Sequence, residues 1–218
     1  AAAYLVAGVY HYFPPGTVHL VVVDPGVGTN RRGLAVSAAG HLFVAPDNGV
    51  LTPVFDAAGE DAGGRPLEIV SLTNSDYWRP DVSPTFHGRD IFAPVAAHLV
   101  AGVPLASLGP SIGDPVRLDL PAPTTPGRAI EGVVVRVDHF GNLVTNVPAT
   151  MLATGETYRV TVGALEITGL LATYGEVRVG QALALVGSHG FVEVAVREGS
   201  AAAAAHAGRG AAVRLELA

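Results

Sequence analysis

The chain contains no cysteine. Disulfides, thiolate metal sites and thiol catalysis are therefore excluded. No apolar run reaches the roughly 18 residues of a membrane span, and no secretory signal is visible. Charge is scarce: Asp, Glu, Lys and Arg make up 15% of the 218 residues, and the net charge is -6. That balance gives no electrostatic case for nucleic acid or for an anionic membrane as partner. No spacing of His, Asp and Glu makes a metal site, and there is no internal repeat. What is abundant is Ala, Gly and Val, with 49% hydrophobic residues overall, a globular composition. The lack of cysteine is neutral about compartment, and a reducing cytoplasm is the default.

Two characters of sequence follow one another. VHLVVV (18–23), HLFVAP (41–46) and PLEIVSL (66–72) are short apolar runs of the kind found in strands covered on both faces. GVLTPVFDAAG (49–59) and GRDIFAPVAAHLVAG (88–102) follow helical spacing, the second with a start or kink expected near Pro94. This alternation predicts an α/β N-terminal domain with a mostly parallel sheet over residues 1–120. PAPTTPG (121–127) reads as a linker or long connection. Residues 128–218 are dominated by strands punctuated by glycine, which predicts an all-β, barrel-like C-terminal domain. GSAAAAAHA (199–207) predicts one short helix. The chain opens AAAYLVAGVYHYFPPG, as though inside a helix, so the expectation is that an upstream segment precedes it.

Four stretches carry possible chemistry. In VVVDPGVGTNRR (21–32) a strand ends in Asp24, at the edge where α/β sheets collect ligands. Pro25 and Gly26 turn the chain, and Arg31 or Arg32 comes within reach of Asp24. The bland alternative is a turn-capping Asp paired with a surface arginine. PGVGT lacks the GK[ST] ending of a Walker loop. In SPTFHGRDIFAP (83–94), His87 stands before a helix start, where it can face an anion or be a packed loop histidine. Asp90 reads as a first-turn helix charge. In APDNGVLTPV (45–54), Asn48-Gly49 favours a turn and Asp47 is expected to cap the following helix. In VDHFGNLVTNVP (137–148), Asp138, Asn142 and Asn146 surround an aromatic–glycine pair, suited to a base or to an ordinary β-turn. VGSHGF (186–191) places Ser188 and His189 at a hairpin tip. His11, His19, His41, His98, His139 and His206 read as structural or surface residues.

Taken together, VVVDPGVGTNRR, APDNGVLTP, TFHGRDIFAP and DHFGNLVTN resemble, in order and spacing, the S-adenosyl-L-methionine (SAM) hydroxide adenosyltransferase family. That family is also called SAM hydrolase and is related to SAM-dependent fluorinases and chlorinases. The resemblance covers nearly the whole chain. It implies an α/β domain followed by a β-barrel-like one, and a homotrimer with SAM between one subunit's N-terminal domain and its neighbour's C-terminal domain. The implied reaction is SAM plus water giving adenosine and L-methionine. No cofactor is implied, since SAM is the substrate. The family usually opens with a strand ending in a TDFG-like motif whose Asp binds the ribose, and that motif has no counterpart here.

The resemblance also implies roles. Asp24, Arg31 and His87 form the catalytic set. Phe86 and Phe140 pack on adenosine, Asn142 reads the adenine edge, and Asn48 joins the substrate contacts. Asp138 takes the methionine ammonium and Ser188 its carboxylate; His189 stands where halogenating relatives carry Arg. The sulfonium is already a good leaving group, so what is lacking is an aligned nucleophile. Water has a pKa of about 15.7 unless polarised, and Arg31 and His87 would stabilise hydroxide character. Asp24 would orient the water, accept a proton, or hold Arg31. Halogenating relatives carry Tyr at this position, and a bare carboxylate about 4 Å from a halide costs on the order of 4 kcal/mol at an effective dielectric near 20. The alternatives to hydrolysis are halogenation and SAM or adenosine binding without turnover.

Overall fold

The computed structural model describes residues 2–60 and 66–218, the side chain of Glu60 excepted. The chain divides into two compact units, Ala2–Asp119 and Leu120–Ala218. Among the described residues, no helix is long and apolar enough to cross a membrane.

The first unit holds four strands, Val18–Leu20 (β1), Gly33–Ala38 (β2), His41–Pro46 (β3) and Glu68–Ser71 (β4), in the spatial order β1-β3-β2-β4. Only β1 and β3 run parallel; β2 is antiparallel to both neighbours. The sheet is mixed, which corrects the mostly parallel sheet expected. The cause is local. Ala39 and Gly40 take left-handed φ values of 48° and 77°, the geometry that closes a two-residue hairpin. β2 and β3 therefore pair head to tail at once. Both are buried along nearly their whole length because helices cover both faces. Leu34, Val36 and Phe43 meet Val54 and Phe55 of Thr52–Glu60 (α2), with Val6 of Ala2–Val9 (α1) packed alongside. Ala35, Val44 and Val70 meet Val95, Ala96 and Leu99 of Ala93–Val100 (α3). Two-sided cover makes strands continuous apolar runs whichever way they point.

Two departures shape the loops that matter. VHLVVV is regular strand only over β1. Val21 N–H still donates to the Val44 carbonyl at 2.8 Å, but the chain then leaves the sheet, with Val22 and Val23 about half exposed. The expected helix over 88–102 begins instead as a π-turn, Gly88–Phe92, that runs into α3. Pro94 accounts for this. It has no N–H to give the Asp90 carbonyl four residues back. That carbonyl takes the Arg79 N–H at 2.9 Å, while the Ala93 N–H reaches five residues back to Gly88.

The second unit is a seven-stranded antiparallel sheet. Its strands are Ala129–Val137 (β5), Leu143–Pro148 (β6), Tyr158–Val162 (β7), Leu165–Thr168 (β8), Ala182–Val186 (β9), Phe191–Val196 (β10) and Ala212–Leu217 (β11). The order is β8-β7-β11-β5-β6-β10-β9. Just past β8, Leu171 bridges to Leu185 of β9, and its N–H donates to the Ala184 carbonyl at 2.8 Å. The sheet thereby curls into a nearly closed barrel around Val134, Leu143, Val160, Val194 and Leu215. The alanine stretch forms a short helix, Ala201–Ala205 (α4), whose N-terminus is capped by Ser200 and whose two buried alanines join that core.

Asn146 is a structural residue of this barrel. It is buried on β6, where its Oδ1 accepts the Val133 N–H at 2.7 Å and its Nδ2 donates to the Pro121 carbonyl at 2.7 Å. One amide thus satisfies β5 beside its bulge and holds the stretch that precedes it. Asn146→Ala leaves the Val133 N–H without its acceptor, and the expected loss is about 1–3 kcal/mol, read as a lower urea midpoint at unchanged slope.

Candidate active site

The loop after β1 is built to return on itself. The Asp24 carbonyl accepts the Val27 N–H at 3.3 Å, and the Gly26 carbonyl accepts both the N–H and the hydroxyl of Thr29 at 3.1 and 2.7 Å. The Arg31 N–H then donates to the Thr29 hydroxyl at 3.3 Å. These two turns bring Arg31 back over Asp24. Its Nε donates to Asp24 Oδ1 at 2.9 Å, and its Nη2 pairs with Oδ2 to complete a two-pronged contact. The same Nη2 lies 2.8 Å from His87 Nδ1. A guanidinium carries only donors, so Nδ1 is the acceptor and the ring proton of a neutral His87 sits on Nε2. The Arg31 and Asp24 side chains are only 10% and 6% exposed, and the guanidinium lies 5.0 Å over the buried ring of Phe92. Such a pair is held by geometry more than by a surplus of Coulomb energy.

Two glycines let the loops meet. Gly28 has φ +80°, and a Cβ there would stand 2.9 Å from the Pro84 carbonyl. A Cβ on Gly88 would stand 2.8 Å from Val22. The first contact docks the Asp24 turn on the segment that carries His87. The second seats the π-turn against the strand exit.

Spacing left Arg31 and Arg32 open as partners of Asp24, and the structure separates them. Arg32 donates from Nε to Asp47 Oδ2 at 2.8 Å and from Nη1 to Asp114 Oδ1 at 2.8 Å. Those hydrogen bonds raise the Arg32 pKa and lower that of Asp114. Asp47 also accepts the Val116 N–H at 2.8 Å. It is therefore a buried tie between segments, not the helix cap expected. Asn48 donates to the Val23 carbonyl at 2.8 Å and accepts the Val50 N–H at 3.2 Å, fixing the chain just before Asp24. Phe86, next to His87, is exposed and stacks against the Arg89 guanidinium at 4.8 Å. His19 and His41 belong to the sheet, with ring nitrogens 3.3 Å apart, and burial pushes both pKa values down.

The second unit carries its own group of polar and aromatic residues. Asp138 closes the turn between β5 and β6. Its Oδ1 accepts the N–H groups of Phe140 and Asn142, each at 2.9 Å, and its Oδ2 accepts the Asn142 amide at 3.0 Å. The Phe140 ring is left 75% exposed. Phe140 and Asn142 line a cavity of about 610 Å³ with Tyr174, Gly175, Val196 and Arg197. Tyr174 donates to Glu193 at 2.6 Å; burial, then that carboxylate, pushes its pKa up to about 12. Tyr174 and Arg197 escaped the sequence reading, since neither sits in a motif or a periodic run. Ser188 and His189 lie at the β9–β10 turn, 3.4 Å apart, and are not among the residues lining that cavity.

A carboxylate, a guanidinium and an imidazole meet at one point of this unit, and comparison with known proteins gives the chain a lineage. Residues 1–109 match the SAM hydroxide adenosyltransferase N-terminal domain, and residues 132–214 match its C-terminal domain. The chain belongs to the SAM hydroxide adenosyltransferase family. It is 44% identical to the (R)-S-adenosyl-L-methionine hydrolase of Salinispora tropica, over 86% of this chain and 70% of that protein. It is 41% identical to the protein of the same name from Thermus thermophilus, over 98% and 81%. Fluorinases match at lower identity. The crystal structure of an uncharacterized conserved protein from Thermotoga maritima superposes with a TM-score of 0.86 at 36% identity, covering 98% of this chain and 82% of that one.

Asp90 does more than the first-turn helix charge expected of it. It is fully buried, and hydrogen bonds from the Arg89 guanidinium and the Ser83 N–H lower its pKa from 3.8 to about 2. A carboxylate depressed on folding stabilises the protein above its unfolded pKa and loses that contribution as pH falls through the folded value. Stability is expected to decline between pH 3.8 and about 2, and Asp90→Asn to flatten that part of an acid-unfolding curve.

Proposed function

We infer that the protein hydrolyses SAM to adenosine and L-methionine, by in-line attack of water or hydroxide on C5′ of the ribose. The observation that carries this reading is the shared Nη2 of Arg31, which joins Asp24 to His87 in one part-buried cluster. The relatives named SAM hydrolases match along most of the chain.

The chemistry follows from the geometry. The sulfonium departs as a neutral thioether, so the leaving group needs no acid. The attacking oxygen needs donors aimed at it in a place shielded from bulk water. Arg31 donates to His87 Nδ1, which leaves the Nε2–H of His87, turned away from Arg31, as the donor. Asp24 holds the guanidinium and cancels its charge, so a cationic substrate does not meet an unpaired arginine. Of the three roles open to Asp24, holding Arg31 is the one these contacts support. Both carboxylate oxygens already accept from Arg31, so a proton taken by Asp24 would weaken that pair. The pairing also weakens the argument from halide repulsion, because the field of a paired carboxylate is largely cancelled. Preference for water then rests on the donor set and shape of the site. The reading calls on no cofactor, and it places the enzyme in the cytoplasm with its substrate.

Phe86 and Phe140 are read as platforms for the adenosine, and Asn142 as the reader of its edge. Asp138 is read for the methionine ammonium, Ser188 and His189 for its carboxylate, and Asn48 as part of the substrate wall. The exposure of both aromatic rings supports a homotrimer in which partner subunits cover them.

Incubation with SAM, with and without excess chloride, followed by chromatography, tests the reaction. Adenosine and methionine are expected in both, with rates falling about 100-fold or more in Arg31→Ala and His87→Ala. A 5′-chlorinated nucleoside, or bound SAM without turnover, would overturn hydrolysis. Sedimentation is expected to give three times the mass of one chain; a monomer at micromolar concentration would refute the trimer.

A further inference from the structure

Asp90 has no part in the mechanism above, yet it ties together Arg79, Ser83 and Arg89. Its Oδ1 and Oδ2 take the Arg89 fork at 2.7 and 2.9 Å, and Oδ2 also takes the Ser83 N–H at 2.9 Å. Arg79 Nε lies 3.5 Å from Oδ1, and the Asp90 carbonyl takes the Arg79 N–H at 2.9 Å. Residues 83 to 90 are thereby closed into a loop that carries Phe86 and His87. Its base is Ser83-Pro84, and the Pro84 carbonyl rests against Gly28 of the turn that returns Arg31. Its far side is Arg89, held by both Asp90 oxygens and lying 4.8 Å over the Phe86 ring. The N–H groups of Arg89 and Asp90 both end on the Phe86 carbonyl, at 3.1 and 3.2 Å.

We propose that Asp90 is the positioning residue of the site: by closing the 83–90 loop it sets where His87 meets Arg31, and by fixing Arg89 it sets the Phe86 ring. The proposal rests on the reading of the site as a SAM hydrolase. A burial this complete is costly for a carboxylate unless its partners are charged and well aligned. Here those partners lie on both sides of the two residues that would face the substrate. A mere helix charge needs none of these contacts, and a purely structural tie would leave the substrate-facing groups unaffected.

Asp90→Asn keeps the shape and an acceptor for Ser83 while removing the charge that holds Arg89. Arg89→Gln frees Phe86 and leaves Ser83 bound. Each variant is compared with the wild type for kcat, KM for SAM, and the ring-nitrogen NMR signal of His87, assigned by its loss in His87→Ala. Asp90→Asn is expected to lower kcat about tenfold or more, to raise KM and to shift the His87 signal. Arg89→Gln is expected to raise KM about fivefold with kcat nearly unchanged. A wild-type kcat and His87 signal in Asp90→Asn would overturn the proposal, whatever its melting temperature. If Asp90→Asn does not fold, an unchanged KM in Arg89→Gln overturns it instead. A wild type that does not hydrolyse SAM defeats the functional reading alone, and the NMR comparison then decides the positioning role.

Discussion

The site depends on one guanidinium having two hydrogens on a single nitrogen to give. Nη2 of Arg31 binds Asp24 with one and His87 with the other, so two loops that are distant in sequence share one atom. Removing either charged partner of a buried pair costs about 3–5 kcal/mol, far more than the fraction of a kcal/mol typical of exposed ion pairs. The loops are accordingly shaped to protect this junction. The turns at Asp24–Thr29 bring the arginine back, Gly28 lets the second loop approach, and Phe92 closes the apolar side.

The same device recurs around it. Asp47 holds Arg32, and Asp90 holds Arg89. In both cases the carboxylate is buried, the arginine is partly exposed, and a main-chain N–H from another segment completes the carboxylate. A chain poor in charge has placed several of its few acids where chain segments must be tied across irregular backbone. Secondary structure satisfies its own polar groups, but loops do not, and these carboxylates supply the acceptors. Asn146 does the equivalent with a neutral amide in the barrel.

What could be read from sequence was what is local. The return of an arginine toward Asp24, the DHFGN turn, the alanine helix and the kink near Pro94 each follow from residues within one short stretch. The family resemblance gathered those stretches, and the comparisons bear it out. Strand direction was not legible, because two-sided burial erases the alternation that would mark an antiparallel sheet, and GLAVSA is too mild a run to announce β2. Spacing alone did not choose Arg31 over Arg32, since that is settled by Asp47 and by Asp114, 82 residues away from Arg32; the resemblance supplied the choice. Asp90 looked like a helix-start charge because nothing nearby shows that Ser83 and Arg79 turn back onto it. Tyr174 and Arg197 enter their cavity only through the curl of the barrel.

The π-turn at Gly88–Phe92 carries a last implication. A π-turn closes its hydrogen bond over one residue more than an α-turn does. Deleting a single residue there would swing everything before it by about 100° relative to α3. This stretch is then constrained by a count as well as by composition. A change in the number of residues along 88–93 redirects the imidazole and all that precedes it in one step.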